Sequence, residues 1–167
     1  MENTSCAWSL TDSLLHRYHD TEWGVPVHDD GVLFEHLALE VMQCGLNWLL
    51  MLKKREIFRR CLAGFDPGKL AVFTEKDIEA ALAEPGMIRS RRKVEALIAD
   101  ARAFLAIQQQ SGSFHSWLWS FTEGHMLIYE SHAHTVPASN DLSDRISLQL
   151  KKRGFRYVGS ITIYSLL

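Results

Sequence analysis

The sequence predicts an all-α protein. Apolar residues recur every three to four positions along most of the chain, and residues that cap helices precede these stretches. No pair of alternating, strand-like segments joined by a tight turn is present. A chain of 167 residues is the size of one domain and can bury a core of its own. We therefore expect a single helical domain over residues 1–167.

The first strong helix signal follows Asp29 and Asp30, whose carboxylates can cap a helix. The apolar face of this helix comprises Leu33, Phe34, Leu37, Ala38 and Val41. Asn47 can begin the next helix, which is predicted to end near Gly64. Pro67 suits the first turn of a short helix, because its missing N–H has no partner there in any case.

Further along, Thr74 and Asp77 approximate a capping box for a helix that ends before Pro85. Ser90 can begin the longest helix, and Gly112 lies at its predicted end. Its apolar side comprises Val94, Leu97, Ile98, Ala101 and Leu105. These signals place three helices in the middle of the chain.

In the C-terminal third, the sequence pattern predicts a short apolar segment around Trp117–Trp119 and an irregular polar stretch over 131–140. An amphipathic helix that ends at Gly154 follows. The buried face of that helix comprises Leu142, Ile146 and Leu150. Gly154 and Gly159 permit a tight turn before another helix, and backbone N–H groups in such turns hold phosphate. Lys151 and Lys152 add positive charge beside this turn.

Composition limits the classes of function. The net charge of −2 excludes nucleic-acid binding by a global positive field, so DNA contacts must come from local groups, namely 53–60, 89–93 and 151–156. Each group alone is more often a solvated helix face.

No apolar run is long enough to cross a membrane, and no secretory signal is visible. Three scattered cysteines favour a reduced, cytoplasmic protein, which we expect to be a monomer.

Aromatic and acidic residues near the N-terminus are typical of a pocket for a flat, polar ring. Tyr18 and Trp23 lie in a polar neighbourhood, and the break before Trp48 favours a cleft there. Glu40 lies at the edge of an apolar stripe. Such a glutamate is usually a solvated flank residue, and the functional alternative is a carboxylate directed into that cleft.

Metal ligation has little support from spacing. Cys6 and His19 are ligand types but lie thirteen positions apart, and a closed zinc site needs four ligands. His132 and His134 could chelate, although a polar loop accounts for them more simply. We expect little bound metal.

Taken together, the motifs of this chain resemble 3-methyladenine DNA glycosylase I, a family of the helix-hairpin-helix superfamily. The resemblance extends from position 6 to 167 and rests on Cys6-Ala7-Trp8, Tyr18-His19-Asp20, Glu22 to Pro26, Leu39-Glu40, Gln43 to Trp48, Leu52 to Glu56, Trp119-Ser120-Phe121 and Leu150 to Gly159. It implies an all-helical fold with a helix-hairpin-helix around 139–167. It also implies monofunctional excision of 3-methyladenine from alkylated double-stranded DNA, with the free base as product and no cofactor required for the chemistry.

The resemblance also implies roles for individual residues. Glu40 reads the base edge, and whether it also activates water stays open. The base-binding residues are Tyr18, Trp48, Trp23 and Trp8. The DNA-binding residues are Gln43, Gly45, Leu46, Lys151, Lys152, Gly154 and Gly159.

Family members continue past the hairpin with a His and a Cys that bind zinc together with the equivalents of Cys6 and His19. This sequence ends at Leu167, so we expect half of the zinc site and part of the second hairpin helix to be absent. Two alternatives to a glycosylase stay open at this point. One is a non-catalytic protein that binds damaged DNA, and the other is an all-α structural protein without a pocket.

Overall fold

The computed structural model describes residues 6–128 and 137–167. Within these ranges the regular structure is entirely helical, which confirms the predicted fold class. Besides short 3₁₀ segments, the described residues form nine α-helices: α1 Ser13–Thr21, α2 Asp30–Gln43, α3 Trp48–Cys61, α4 Pro67–Leu70, α5 Glu75–Ala83, α6 Arg91–Ser111, α7 Phe114–Trp119, α8 Asp141–Lys152 and α9 Ser160–Leu166.

Capping contacts confirm three of the predicted helix starts, whereas Ser90 precedes α6 without a side-chain cap. The Asp29 carboxylate accepts the Val32 N–H at 2.9 Å, and the Asn47 amide oxygen accepts the Leu50 N–H at 2.8 Å. Thr74 and Asp77 form the expected capping box at α5. These signals are local to one helical turn, so the sequence alone predicts where these three helices begin.

Helix α1 had no prediction from the sequence. It has no buried residue, and its N-terminus is capped by the Asp12 carboxylate, which accepts the Leu14 N–H. Only Leu14, Leu15 and Tyr18 are apolar or aromatic among its nine residues, too few to establish a period from the sequence. Part of the predicted irregular stretch, including His132 and His134, lies outside the described residues, and 137–140 lead irregularly into α8.

Helix α2 is the central element of the core. It contacts α3, α6, α7 and α9, so side chains on every side of its C-terminal half are buried. Phe34 packs edge-on against Phe104, which stacks on Phe114 at 4.2 Å between ring centroids. Because this half of α2 is enclosed, a polar residue there is withdrawn from water whichever way it faces.

The basic groups differ in their surroundings. Arg55 binds Glu22 and Glu35, so the 53–60 group is partly neutralised within the protein. Lys93 of the second group is buried. Lys151 and Lys152, at the end of α8, are exposed. No helix in the ranges 6–128 and 137–167 is long and apolar enough to span a bilayer.

Candidate functional site

Glu40 lies in the C-terminal half of α2 and is only 7% exposed. It borders a cavity of about 320 Å³ between the end of α2 and helix α9. The other residues that line this cavity are Gln43, Cys44, Gly45, Leu46, Ile161, Thr162 and Ser165. The structure therefore favours the cleft interpretation of Glu40 over the solvated-flank interpretation. The α9 residues of the wall were missed by the sequence, since nothing local signals that α9 packs on α2.

Burial raises the pKa of the Glu40 carboxyl to about 7. Among the described residues no side chain or backbone group forms a hydrogen bond or ion pair with this carboxylate. A withdrawn carboxylate without a partner costs free energy, and this cost is reduced by a ligand that donates a hydrogen bond or carries positive charge. Glu40 is thus suited to bind a cationic or donor-bearing ring.

Tyr18 of α1 and Trp48 at the start of α3 form an aromatic pair. Their ring centroids are 5.2 Å apart and the rings are tilted by 57°. Tyr18 lies close enough to Glu40 to interact with its charge, although neither ring lines the cavity. Burial, followed by the negative charges of Glu40 and Glu22, raises the pKa of Tyr18 to about 12. The Trp48 indole Nε1 is buried and has no hydrogen-bond acceptor among the described residues. The phenol therefore stays protonated near neutral pH, and both the phenol and the indole N–H can donate to a ligand.

The predicted insertion of a ring between Tyr18 and Trp48 sets a geometric requirement. Two stacking gaps of about 3.5 Å each need ring centroids about 7 Å apart. The observed separation of 5.2 Å means that the two rings touch in this structure. A base that lies between them must separate them by about 2 Å, so the sandwich stays a prediction.

Trp8, His19 and Trp23 form a second aromatic group on the solvent side of Tyr18. Trp23 stacks on His19 at 5.3 Å between centroids, and Trp8 meets Trp23 edge-on at 5.6 Å. Trp8 is also 6.5 Å from Tyr18. Trp8 and Trp23 are 38% and 49% exposed, respectively. The structure thus brings all four predicted base-binding aromatics into one continuous group.

An ion-pair network anchors this aromatic group to the core. The Arg55 guanidinium donates two hydrogen bonds to the Glu22 carboxylate at 2.7 and 2.8 Å and a third to Glu35. His36 lies 3.2 Å from the same Glu22 carboxylate. Glu22 follows α1 directly, so the network holds the chain between Tyr18 and Trp23 against α2 and α3. The sequence suggested only a basic surface group here.

The two predicted metal ligands are neighbours in the structure. The Cys6 backbone N–H donates to His19 Nε2 at 3.4 Å, and His19 Nδ1 lies 2.9 Å from the Asp20 carboxylate. Both ring nitrogens are thus already in hydrogen bonds. In the described part of the chain no group of three or more His, Cys, Asp or Glu side chains could hold a metal ion. These residues do not fit a four-ligand zinc site.

One exposed turn lines the cavity, and a second exposed turn leads into α9, which also lines it. The first connects α2 to α3, where Gly45 has a φ of +81° and Leu46 is 41% exposed. The second connects α8 to α9 and includes Gly154, with a φ of +93°, and Gly159, which precedes α9. The Ser147 hydroxyl donates to the Val158 carbonyl at 2.6 Å and holds the second turn against α8.

Comparison with known proteins places these features in one family. The family model for methyladenine glycosylase matches residues 8–167, nearly the whole chain. The chain belongs to the methyladenine glycosylase family. This finding confirms the resemblance that the sequence motifs indicated.

Two curated members of the methyladenine glycosylase family are similar over almost their full length. DNA-3-methyladenine glycosylase 1 of Escherichia coli strain K12 is 42% identical over 163 residues, which are 97% of this chain and 87% of the relative. DNA-3-methyladenine glycosylase of Haemophilus influenzae is 39% identical over 165 residues, which are 98% of this chain and 89% of the relative. A solved structure of a 3-methyladenine DNA glycosylase I variant in complex with 3-methyladenine has a TM-score of 0.91 and 36% identity, covering 97% of this chain and 88% of that one.

Proposed function

We propose that this protein is a DNA glycosylase of base-excision repair that removes 3-methyladenine from alkylated double-stranded DNA. Membership of the methyladenine glycosylase family supports the reaction class. The observation that carries the proposal is the buried Glu40 carboxyl, which has no hydrogen-bond or ion-pair partner among the described residues and lies near Tyr18, the aromatic partner of Trp48. This arrangement fits a flat, positively charged ring.

The chemistry requires modest help from the protein. Methylation at N3 gives the base a positive charge, which makes it a good leaving group. The bond between base and sugar breaks with its electron pair moving onto the base, so neutral 3-methyladenine departs. Water adds to the sugar carbon and loses a proton. The protein must flip the nucleotide, hold the ring and stabilise positive charge.

Glu40 supplies the negative charge in this proposal. Its ionised form attracts the cationic base and, as the bond breaks, the positive charge that develops on the sugar. An unmodified adenine is neutral and gains little from that carboxylate. Stacking on Tyr18 and Trp48 contributes roughly 1–3 kcal/mol. Charge at Glu40 thus discriminates between damaged and undamaged rings, whereas stacking acts on both.

The two exposed turns position the duplex. Gln43, Gly45 and Leu46 line the cavity next to Glu40, so this turn is placed to enter the gap that a flipped base leaves. We assign α8, the turn over 153–159 and α9 as the helix-hairpin-helix, with Gly154 and Gly159 allowing backbone N–H groups to approach phosphate. Lys151 and Lys152 add charge. Phosphate contacts position the protein without reading sequence.

The proposed reaction is hydrolytic and is carried by side chains, without a required cofactor. The protein's partners are then alkylated duplex DNA and the free 3-methyladenine that it releases. The three cysteines are free thiols, in keeping with a reduced cytoplasmic location. A monomeric state stays a prediction.

Release of 3-methyladenine from methylated duplex DNA, separated by chromatography, tests the proposal. The wild-type protein should release 3-methyladenine and little 7-methylguanine. Glu40→Gln should lower the rate by at least about 100-fold, because it removes the charge and keeps the shape. Glu79→Gln, which removes an exposed carboxylate from α5, is the matched control. Tight binding to damaged DNA without any base release would favour the non-catalytic binding protein.

A further inference from the structure

Helix α6 carries two buried ionisable side chains that contact other parts of the backbone. Lys93 and Asp100 are 8% and 0% exposed. They lie seven residues apart, which is about two helical turns or 10 Å along the axis, so they share one face of α6. Neither residue borders the cavity next to Glu40. Ionisable groups this deeply buried usually have a specific partner.

Lys93 binds the turn after α2. Its ammonium donates to the Met42 carbonyl at 2.6 Å and to the Cys44 carbonyl at 2.7 Å. These carbonyls lie at the C-terminus of α2, where a positive charge also interacts favourably with the helix dipole. The residues that follow, Gly45 and Leu46, are the exposed part of this turn. Lys93 therefore fixes the base of the turn to α6.

Asp100 binds the other turn in a corresponding way. Its Oδ1 accepts the Arg156 backbone N–H at 2.7 Å, whereas its Oδ2 has no partner in the part of the chain that the structure describes. Arg156 lies in the middle of the segment between Gly154 and Gly159. A hydrogen bond between residues 56 positions apart fixes the tip of the second turn to the same helix face.

We propose that α6 sets the spacing between the two DNA-contacting turns, with Lys93 positioning the turn at 43–46 and Asp100 positioning the turn at 153–159. This inference rests on the proposed function, since it assumes that both turns contact one duplex. The 43–46 turn must meet the gap in the base stack while the 153–159 turn meets the phosphate backbone. A rigid helix between them fixes that distance before DNA binds, which removes an ordering cost from binding.

Three substitutions separate this role from general stabilisation. Lys93→Met removes the donors at similar length, and Lys76→Met, at an exposed position of α5, removes the same charge without these contacts. Asp100→Leu removes the acceptor. Asp100→Asn keeps a neutral acceptor, and because burial raises the pKa of Asp100 to about 8, this amide resembles the protonated carboxyl present at neutral pH.

The dissociation constant is measured with the full chain and two ligands. One is a duplex that carries a stable abasic-site analogue, and the other is free 3-methyladenine, followed by tryptophan fluorescence. Lys93→Met and Asp100→Leu should each weaken duplex binding by about tenfold or more, the scale of a lost charge-assisted or buried hydrogen bond. Both should leave the affinity for the free base within about twofold. Asp100→Asn and Lys76→Met should bind the duplex like wild type.

Parallel losses of affinity for the duplex and the free base would overturn the proposal, as would unchanged duplex binding. Amide hydrogen exchange supplies a readout that needs no DNA. Lys93→Met should accelerate exchange at 43–46 and Asp100→Leu at 153–159, with the core unaffected. If the wild-type protein bound no duplex, the proposed function would fail. Unaltered exchange at both turns would then overturn the positioning role on its own.

Discussion

Replacing Glu40 with Gln should make the protein more stable and less active at the same time. The folded state raises the pKa of Glu40 from 4.5 to about 7 because burial penalises the charged form. The folded protein therefore holds this proton more tightly than the unfolded chain does. As pH rises from about 4.5 to 7, the wild-type protein loses stability at this position, and a neutral Gln of the same shape does not.

The size of the effect follows from the pKa. Each unit between the unfolded and folded values is equivalent to about 1.4 kcal/mol. Glu40→Gln should thus increase the free energy of unfolding by about 3 kcal/mol at pH 8, by about 1.4 kcal/mol near pH 5.5, and by almost nothing at pH 4. For a chain of this size, 3 kcal/mol corresponds to a rise in Tm of about 6–12 °C.

Urea unfolding followed by circular dichroism, from pH 4 to pH 8, measures this difference directly. The comparison between variant and wild type cancels the contribution of Asp100, whose pKa is also raised but in both proteins. Glu79→Gln, exposed on α5, should change stability by less than about 0.5 kcal/mol throughout. A Glu40→Gln effect that was the same at pH 4 and pH 8 would refute the argument, since it would not arise from ionisation of Glu40.

Three further perturbations test other parts of the site. Trp48→Phe should remove much of the fluorescence quenching by 3-methyladenine while retaining some binding, and equal quenching by adenine would exclude a lesion-selective pocket. Replacing Lys151 and Lys152 with Ala should weaken binding to damaged and undamaged duplexes alike and reduce the salt dependence of binding. Gel-shift titrations at two salt concentrations measure both effects. A loss of affinity confined to damaged DNA would contradict the assignment of this turn. Arg55→Met should lower the free energy of unfolding by about 2–3 kcal/mol, less than for a fully buried pair, because Glu22 loses its main partner. In denaturant titrations, a variant as stable as wild type would show that this network adds nothing.

The sequence by itself determined the helical class, most helix starts and the family. Asp29 and Asn47 are readable as caps because a capping bond joins residues only a few positions apart. The family can be recognised because its motifs follow one another in a fixed order along the chain, and this order does not depend on knowing the fold. The sequence missed α1, since three apolar or aromatic residues in a nine-residue helix are too few to establish a period.

Only the tertiary structure decided which polar residues are withdrawn from water. Glu40 has the sequence pattern of a solvated flank residue, and it is buried because four other helices enclose α2. Arg55 and Lys93 belong to basic runs that predict surface charge, yet their partners lie 20 to 51 positions away. Burial and pairing depend on which distant segments meet, and free energies such as the raised pKa of Glu40 arise only after they do.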